Sequence, residues 1–314
     1  MTTFSEQIFS DYQVRKTKKQ KLAFIRLMQS HFPELRVEES KILHNRNLVA
    51  GDWETAEFIL SAHYDTCAVL PFPNFIMPKN LLITVLYSLL ICIPFFLIAF
   101  GFNVLLSLVT DDFLIHYWTS LLLIIGLFIL VFFLGLPNKH TANDNTSGVI
   151  TLCELMERMP EEMRKKVLFV FFDNEENGLL GSAFFRKLHK KEINDKLILN
   201  FDCVSDGDHI LLVVNKAARK KYGGRLEAAF QSTAEKTVHL EKSSSAMYPS
   251  DQAGFPMSVA VAALKKLPLL GLYLDRIHTG RDRVFDGRNI EYLCGSTIDF
   301  LSSAEGGKQY DLHL

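Results

Sequence analysis

Several things are scarce in this sequence, and each scarcity narrows its class. Among 314 residues there are five cysteines, an odd number, and no two stand in a CxxC spacing. Cys67, Cys92, Cys153, Cys203 and Cys294 therefore give no disulfide framework, and a reducing compartment is expected. Neither sign of charge dominates: 34 Lys and Arg face 35 Asp and Glu, for a net charge of −1. That balance argues against nucleic acid as a partner. The opening stretch MTTFSEQIFSDYQ carries acids and lacks an apolar core, so it is not expected to act as a secretory signal. Internal repeats and low-complexity segments are absent too.

Charge is also missing locally, and that absence is the most informative. No Lys or Arg falls between residues 80 and 138, although the rest of the chain has ordinary composition. Two apolar runs fill this gap, about 81–109 and 117–136. A hydrocarbon core of ~30 Å takes about 20 apolar residues as helix, so each run can span it. Buried core helices of this length keep a polar face, and these show none. Pro94 is tolerated in a membrane helix when neighbours satisfy the freed carbonyl.

The short connection TDDFLIH makes the pair an antiparallel transmembrane hairpin. Lys79 and Lys139 flank its base, while Asp111 and Asp112 mark its tip. Basic residues stay on the cytoplasmic side, so the expectation is a multi-pass cell-membrane protein with its globular part cytoplasmic. Residues 74–136 then form an insert in a discontinuous domain of residues 1–73 and 137–314.

Residues 5–31 read as one amphipathic helix whose basic cluster (Arg15, Lys16, Lys18, Lys19, Lys21) forms a solvated face, with anionic lipid as a further contact. Short apolar runs at Phe58–Ala62, Val167–Phe172, Leu197–Phe201, Ile210–Val214 and Leu269–Leu274 predict strands. Helix-like stretches at 148–159, 179–190, 224–235 and 289–303 lie between or after them. Such alternation predicts an α/β fold: three αβα layers around a mostly parallel mixed sheet, interrupted by the hairpin.

Metal-competent residues collect where these strands end, the edge at which open α/β sheets bind ligands. His63 and Asp65 follow FILSA; Asp65 can fix the tautomer a metal needs. Asp144 lies in ANDNTSGV, a tight turn at a helix start, where backbone donors can hold a bridging carboxylate. Glu175 and Glu176 follow an apolar strand, and adjacent glutamates there repel unless a cation is near. One can bind metal while the other stays free as general base. Asp202 ends another strand, and His278 follows LLGLYLD. Two imidazoles and four carboxylates suit Zn²⁺, with Mn²⁺ or Co²⁺ as substitutes.

In the order His-x-Asp, Asn-Asp-Asn-x-x-Gly, Glu-Glu, Asp, His, the chain resembles the co-catalytic zinc aminopeptidases, a group that extends to the glutamate carboxypeptidases. The resemblance covers about 40 to 303 apart from the hairpin. It implies two zinc ions, one held by His63 and Asp202 and the other by Glu176 and His278, with Asp144 bridging. It further implies Glu175 as general base, Asp65 orienting His63, Tyr248 of YPSDQAGFP binding substrate, and Asp251 behind the ligands. Gln252 and Gly280 depart from a common histidine and proline at the pocket rim. The expected reaction is removal of N-terminal residues from peptides. A carboxypeptidase or amidase on the same metals, or a silent membrane scaffold, are the alternatives.

Overall fold

The computed structural model describes residues 1–303. It opens with helices α1 (Thr3–Asp11) and α2 (Lys18–His31), then strands β1 (Arg36–Glu39), β2 (Arg46–Ala50) and β3 (Phe58–His63). Two apolar helices follow, α3 (Leu81–Leu106) and α4 (Phe113–Phe132). Beyond them come α5 (Gly148–Arg158), α6 (Glu161–Arg164), β4 (Val167–Phe172), α7 (Leu180–Leu188), β5 (Leu197–Phe201) and β6 (His209–Val214). The remaining elements are α8 (Lys216–Ala229), β7 (Thr237–Lys242), β8 (Met257–Leu267), β9 (Gly271–Tyr273) and α9 (Gly287–Ser302).

All the strands join one mixed sheet in the order β1-β2-β4-β3-β5-β8-β6-β7, with β9 beside β8. The centre, β4-β3-β5-β8, is parallel, while β2 and β6 flank it antiparallel. Strands β3, β4 and β5 are buried along their whole lengths, as their unbroken apolar runs require. Phe169, Phe171, Leu60 and Leu199 point into one layer with residues of α2, α5, α8 and α9. Val170, Phe172, Ile59 and Ile198 point the other way, towards Phe185 of α7. The α/β class and its helix-covered sheet are as expected.

Several local expectations are corrected. Residues 5–31 form two helices, because Thr17 starts α2 with a capping box to Gln20. The basic cluster is no uniform solvated face either. Arg15 is fully buried and bonds the carbonyls of Tyr64 and Tyr12, and Lys21 pairs with Asp173 at 2.6 Å. The helix expected at 224–235 begins at Lys216, behind the Asn215 N-cap. The run Leu269–Leu274 holds only the short β9, and the long neighbouring strand is β8.

Helix α4 starts at Phe113 because Asp112 caps it, accepting from the amides of Leu114 and Ile115. Both α3 and α4 are long and apolar enough to cross a membrane. Of their residues only Ala99 is buried, so most of their apolar surface stays exposed in the described fold. They hold each other near the tip, where His116 Nδ1 lies 2.7 Å from Asn103 Oδ1 and Asn103 bonds Ser120. Their base is tied to the sheet domain. Ala68 bridges Pro137, Val69 N donates to Leu136 O at 2.8 Å, and Ile76 bridges Leu274.

Candidate metal centre

Adjacent parallel strands β4, β3 and β5 end at one edge, and their next residues converge there. His63 is the last residue of β3, Glu175 and Glu176 lie just beyond β4, and Asp202 follows β5. Asp144 comes from the irregular turn Ala142–Ser147 before α5, and His278 from the loop after β9. Backbone strain collects at this edge: Asn174, Cys203 and His278 have φ of 56°, 57° and 59°, the left-handed region that non-glycine residues seldom occupy.

Asp144 sits at the middle, with each of its oxygens facing a different histidine. Its Oδ1 lies 3.3 Å from His63 Nε2, and its Oδ2 lies 2.9 Å from His278 Nε2. His63 Nε2 also has Asp202 Oδ1 at 3.6 Å, and His278 Nε2 has Glu176 Oε2 at 3.2 Å. The centre therefore has two halves that share one carboxylate.

Protonation shows why these residues fit cations. His63 Nδ1 faces the carbonyl of Asp65 at 3.1 Å, so Nδ1 carries the hydrogen of the neutral ring. Its Nε2 is then a bare lone pair aimed at two carboxylates, an arrangement that repels unless something positive lies between. Glu176 Oε1 is buried without a hydrogen-bond partner as well. Without a cation, burial depresses both histidines, but the carboxylates outweigh it and hold His63 and His278 well above the usual imidazole range. Burial, and then crowding by Glu176, Asp202 and Asp251, pushes Glu175 well above the usual carboxylate range despite the opposing His63. Ligand atoms of His63, Asp144 and Asp202 lie within 4.8 Å of one another, as do those of His63, Glu175 and Glu176.

Asp65 lies beside His63, as its spacing suggests, and reaches further as well. Its carboxylate is 3.6 Å from His63 Nδ1, whose shorter contact is the Asp65 main-chain oxygen at 3.1 Å. The two carboxylate oxygens accept from the amides of Glu175 and Glu176, at 2.9 and 3.2 Å. Tyr248 lines the cleft, but its hydroxyl donates to the carbonyl of Asp202 at 3.1 Å. Asp251 is fully buried, and burial lifts its carboxyl to about 7.

Sequence reasoning missed the groups that aim the ligands. Asp282 accepts from the amides of Asn143 and Asp144, at 2.8 and 3.0 Å. Asn143 Oδ1 accepts from Ser205 and Asp206, and Asn145 Oδ1 from Gly148 and Cys203. The Asn-Asp-Asn turn is thereby laced to the segment that carries Asp202. Such side chain to backbone bonds leave no periodic trace in sequence. The only available signal was composition, in ANDNTSG and RIHTGRD.

A cleft of about 320 Å³ opens onto the centre. Its floor is His63, Asp144, Glu175, Glu176, Asp202 and His278, and apolar residues such as Ile76, Met247 and Ile277 make its walls.

Residues 132–287 match the sequence profile of Peptidase family M28. No curated protein matches the chain in sequence. Among solved structures, the LapA aminopeptidase of Legionella pneumophila is 12% identical, with a TM-score of 0.56 over 98% of this chain and 70% of that one. LapB from Legionella pneumophila is 14% identical, with a TM-score of 0.52 over 97% and 71%. The glutaminyl cyclase of Porphyromonas gingivalis is 15% identical, with a TM-score of 0.58 over 96% of each chain. At these identities the likeness is one of fold.

Proposed function

From the premise that this chain carries a zinc-peptidase domain of Peptidase family M28, we propose that it is a membrane-anchored aminopeptidase with a two-metal centre and a glutamate base. The observation that carries the reading is Asp144 between two histidines, one carboxylate oxygen towards each. His63 with Asp202 would hold one ion, and His278 with Glu176 the other. Charge supports bound cations: the carboxylates of Asp144, Glu175, Glu176 and Asp202 converge at the centre, with buried Arg15 as a nearby base.

When bound, the cations lower the pKa of water and polarise the scissile carbonyl. The chain's own residues do the rest. Glu175 is the cleft carboxylate without a histidine within ion-pair distance, so it stays free to take a proton from the attacking water. It returns that proton to the leaving amine. Asp65 holds the Glu175 and Glu176 amides, so base and ligand are aimed together. Tyr248 braces the Asp202 carbonyl at the cleft wall.

Helices α3 and α4 are proposed to span the membrane, because their apolar faces are exposed over their whole length. Lys79 and Lys139 at their base support a catalytic domain on the cytoplasmic side. The decisive experiment is Glu175→Gln in the purified full chain, assayed on unblocked and N-blocked peptides beside zinc analysis. Turnover of unblocked peptides should fall at least ~10³-fold while zinc content holds. Retained turnover would sink the base assignment, and cleavage of blocked peptides alone would sink the aminopeptidase reading.

A further inference from the structure

The metal cleft is not bounded by the sheet domain alone. One wall is α3 itself: Leu81, Thr84 and Ser88 line the cleft together with the preceding strap Asn74–Pro78. Thr84 and Ser88 are four apart and share a helix face. From Leu81 to Ser88 the cleft follows α3 for roughly 10 Å. The opposite face of the same turns carries Leu82, Leu86, Leu89 and Leu90, all more than half exposed. A single helix thus separates the cleft from the surface that lipid would cover.

This wall has a fixed position. Met247 N donates to Pro78 O at 2.8 Å, Ile76 pairs with Leu274, and the Tyr87 hydroxyl bonds Pro73 O. Phe132, the last residue of α4, stacks near Phe95 with centroids 6.4 Å apart. With Asn103 opposite His116 and Ser120 at the tip, the first turns of α3 run on past the end of α4, alongside the sheet domain. The β8–β9 turn lies on the same side. Its residues Pro268, Leu269 and Leu270 share a pocket with Lys79 and Asn80 at the foot of α3, and Leu269 is 90% exposed. With α3 spanning a bilayer, this turn would meet the bilayer surface beside the cleft, its leucines towards lipid and Lys79 and Lys266 towards the headgroups.

We infer that the cleft takes peptides that are themselves seated in the bilayer: the free N-terminus enters at the metals, and the following residues pass along the Thr84–Ser88 face of α3 towards an apolar segment held in lipid. This rests on the aminopeptidase reading and adds the substrate class. A peptide released into water gains nothing from the α3 wall beyond its first residues. One whose body lies in the membrane arrives already aligned with it, and pre-alignment removes part of the entropic cost of binding.

The test uses the full chain in phosphatidylcholine nanodiscs and two peptides with the same N-terminal sequence. One ends as a soluble peptide, and the other continues into a single apolar transmembrane helix. The anchored peptide should have the higher kcat/KM. Shared residence in one disc would also favour it, so the deciding quantity is how a cleft variant changes the ratio. Ser88→Trp, which fills the α3 wall, should lower the anchored-to-soluble ratio by about tenfold, equivalent to about 1.4 kcal/mol. A ratio near one in the unaltered chain, or a ratio untouched by Ser88→Trp at normal zinc content, overturns the inference. If Ser88→Trp fails to load zinc, a photoreactive phenylalanine at Thr84 decides. Crosslinking to the anchored peptide supports the inference, and its absence overturns it. Failure of the zinc-loaded chain to cleave either peptide would instead refute the peptidase reading beneath it.

Discussion

Asp282 gives the sharpest test of how the centre is held. Its carboxylate is 1% exposed, and its two oxygens accept separately from the amides of Asn143 and Asp144. Burial first, then the charge of Asp144, lifts it from an ordinary 3.8 to about 7 despite those amides. A carboxyl raised in the folded state stabilises fully below its unfolded pKa and loses that contribution as pH rises through its folded one. Three units correspond to roughly 4 kcal/mol, lost between about pH 4 and pH 7 in the metal-free protein. Asp282→Asn removes the charge but leaves one of the two amides facing an NH₂ group, a cost of about 1–3 kcal/mol. The variant should therefore be less stable than the parent at pH 4, where the contribution of Asp282 is intact, and more stable at pH 8. Thermal unfolding of chelator-treated protein in detergent, at steps across that range, reads the crossing directly. Saturating zinc compensates the charge of Asp144 and should move the crossing upward or abolish it. Parallel stability curves for parent and variant would refute the account of Asp282, whatever their offset.

Two further substitutions probe the frame. Gly148→Ala would place a methyl 2.3 Å from the Phe201 carbonyl and 2.4 Å from Asn145 Oδ1, so it should cost about 1–3 kcal/mol and lower zinc content; an unchanged melting point would contradict it. Asp286 is opposed by partial burial, but bonds from Arg288 and Lys236 outweigh that and hold it at about 2. Its contribution is present above about pH 4 and disappears as pH falls towards 2, so Asp286→Asn, its ion pairs screened by solvent, should cost about 1 kcal/mol at pH 6 and little at pH 2, as read by denaturant unfolding.

What sequence could reveal follows from the kind of interaction involved. Strands β3, β4 and β5 are buried on both faces, so FILSAH, VLFVFF and LILNF stand out as unbroken apolar runs, and the acids just after them are conspicuous. Strand β8 was overlooked because MSVAVAALKKL is built of small residues. Arg15 reads as one more solvated base beside four lysines, and only the closed fold shows it beneath Asp65 and Asp144. Asp65 has a partner two residues away in His63, which the spacing announces. Its other partners are amides more than a hundred residues downstream, and no local spacing can announce such a contact.

The hairpin can enter this fold because its two feet leave from one place. Incoming Ala68 bridges outgoing Pro137, so the sheet domain closes beneath the insert as it would beneath a short loop. Both feet also grip the loop that carries His278. Leu70 N donates to the His278 carbonyl at 2.7 Å, and Asn138 Nδ2 donates to the Thr279 carbonyl at 3.1 Å. His278 has a left-handed backbone, a conformation of a kind that persists only where its surroundings enforce it. The hairpin feet are part of that enforcement. Whatever seats α3 and α4 therefore bears on the imidazole of one metal half, while His63, at the end of β3, is fixed by the sheet. The hairpin is in this sense a structural member of the centre, and shortening it would disturb His278 before it disturbed His63.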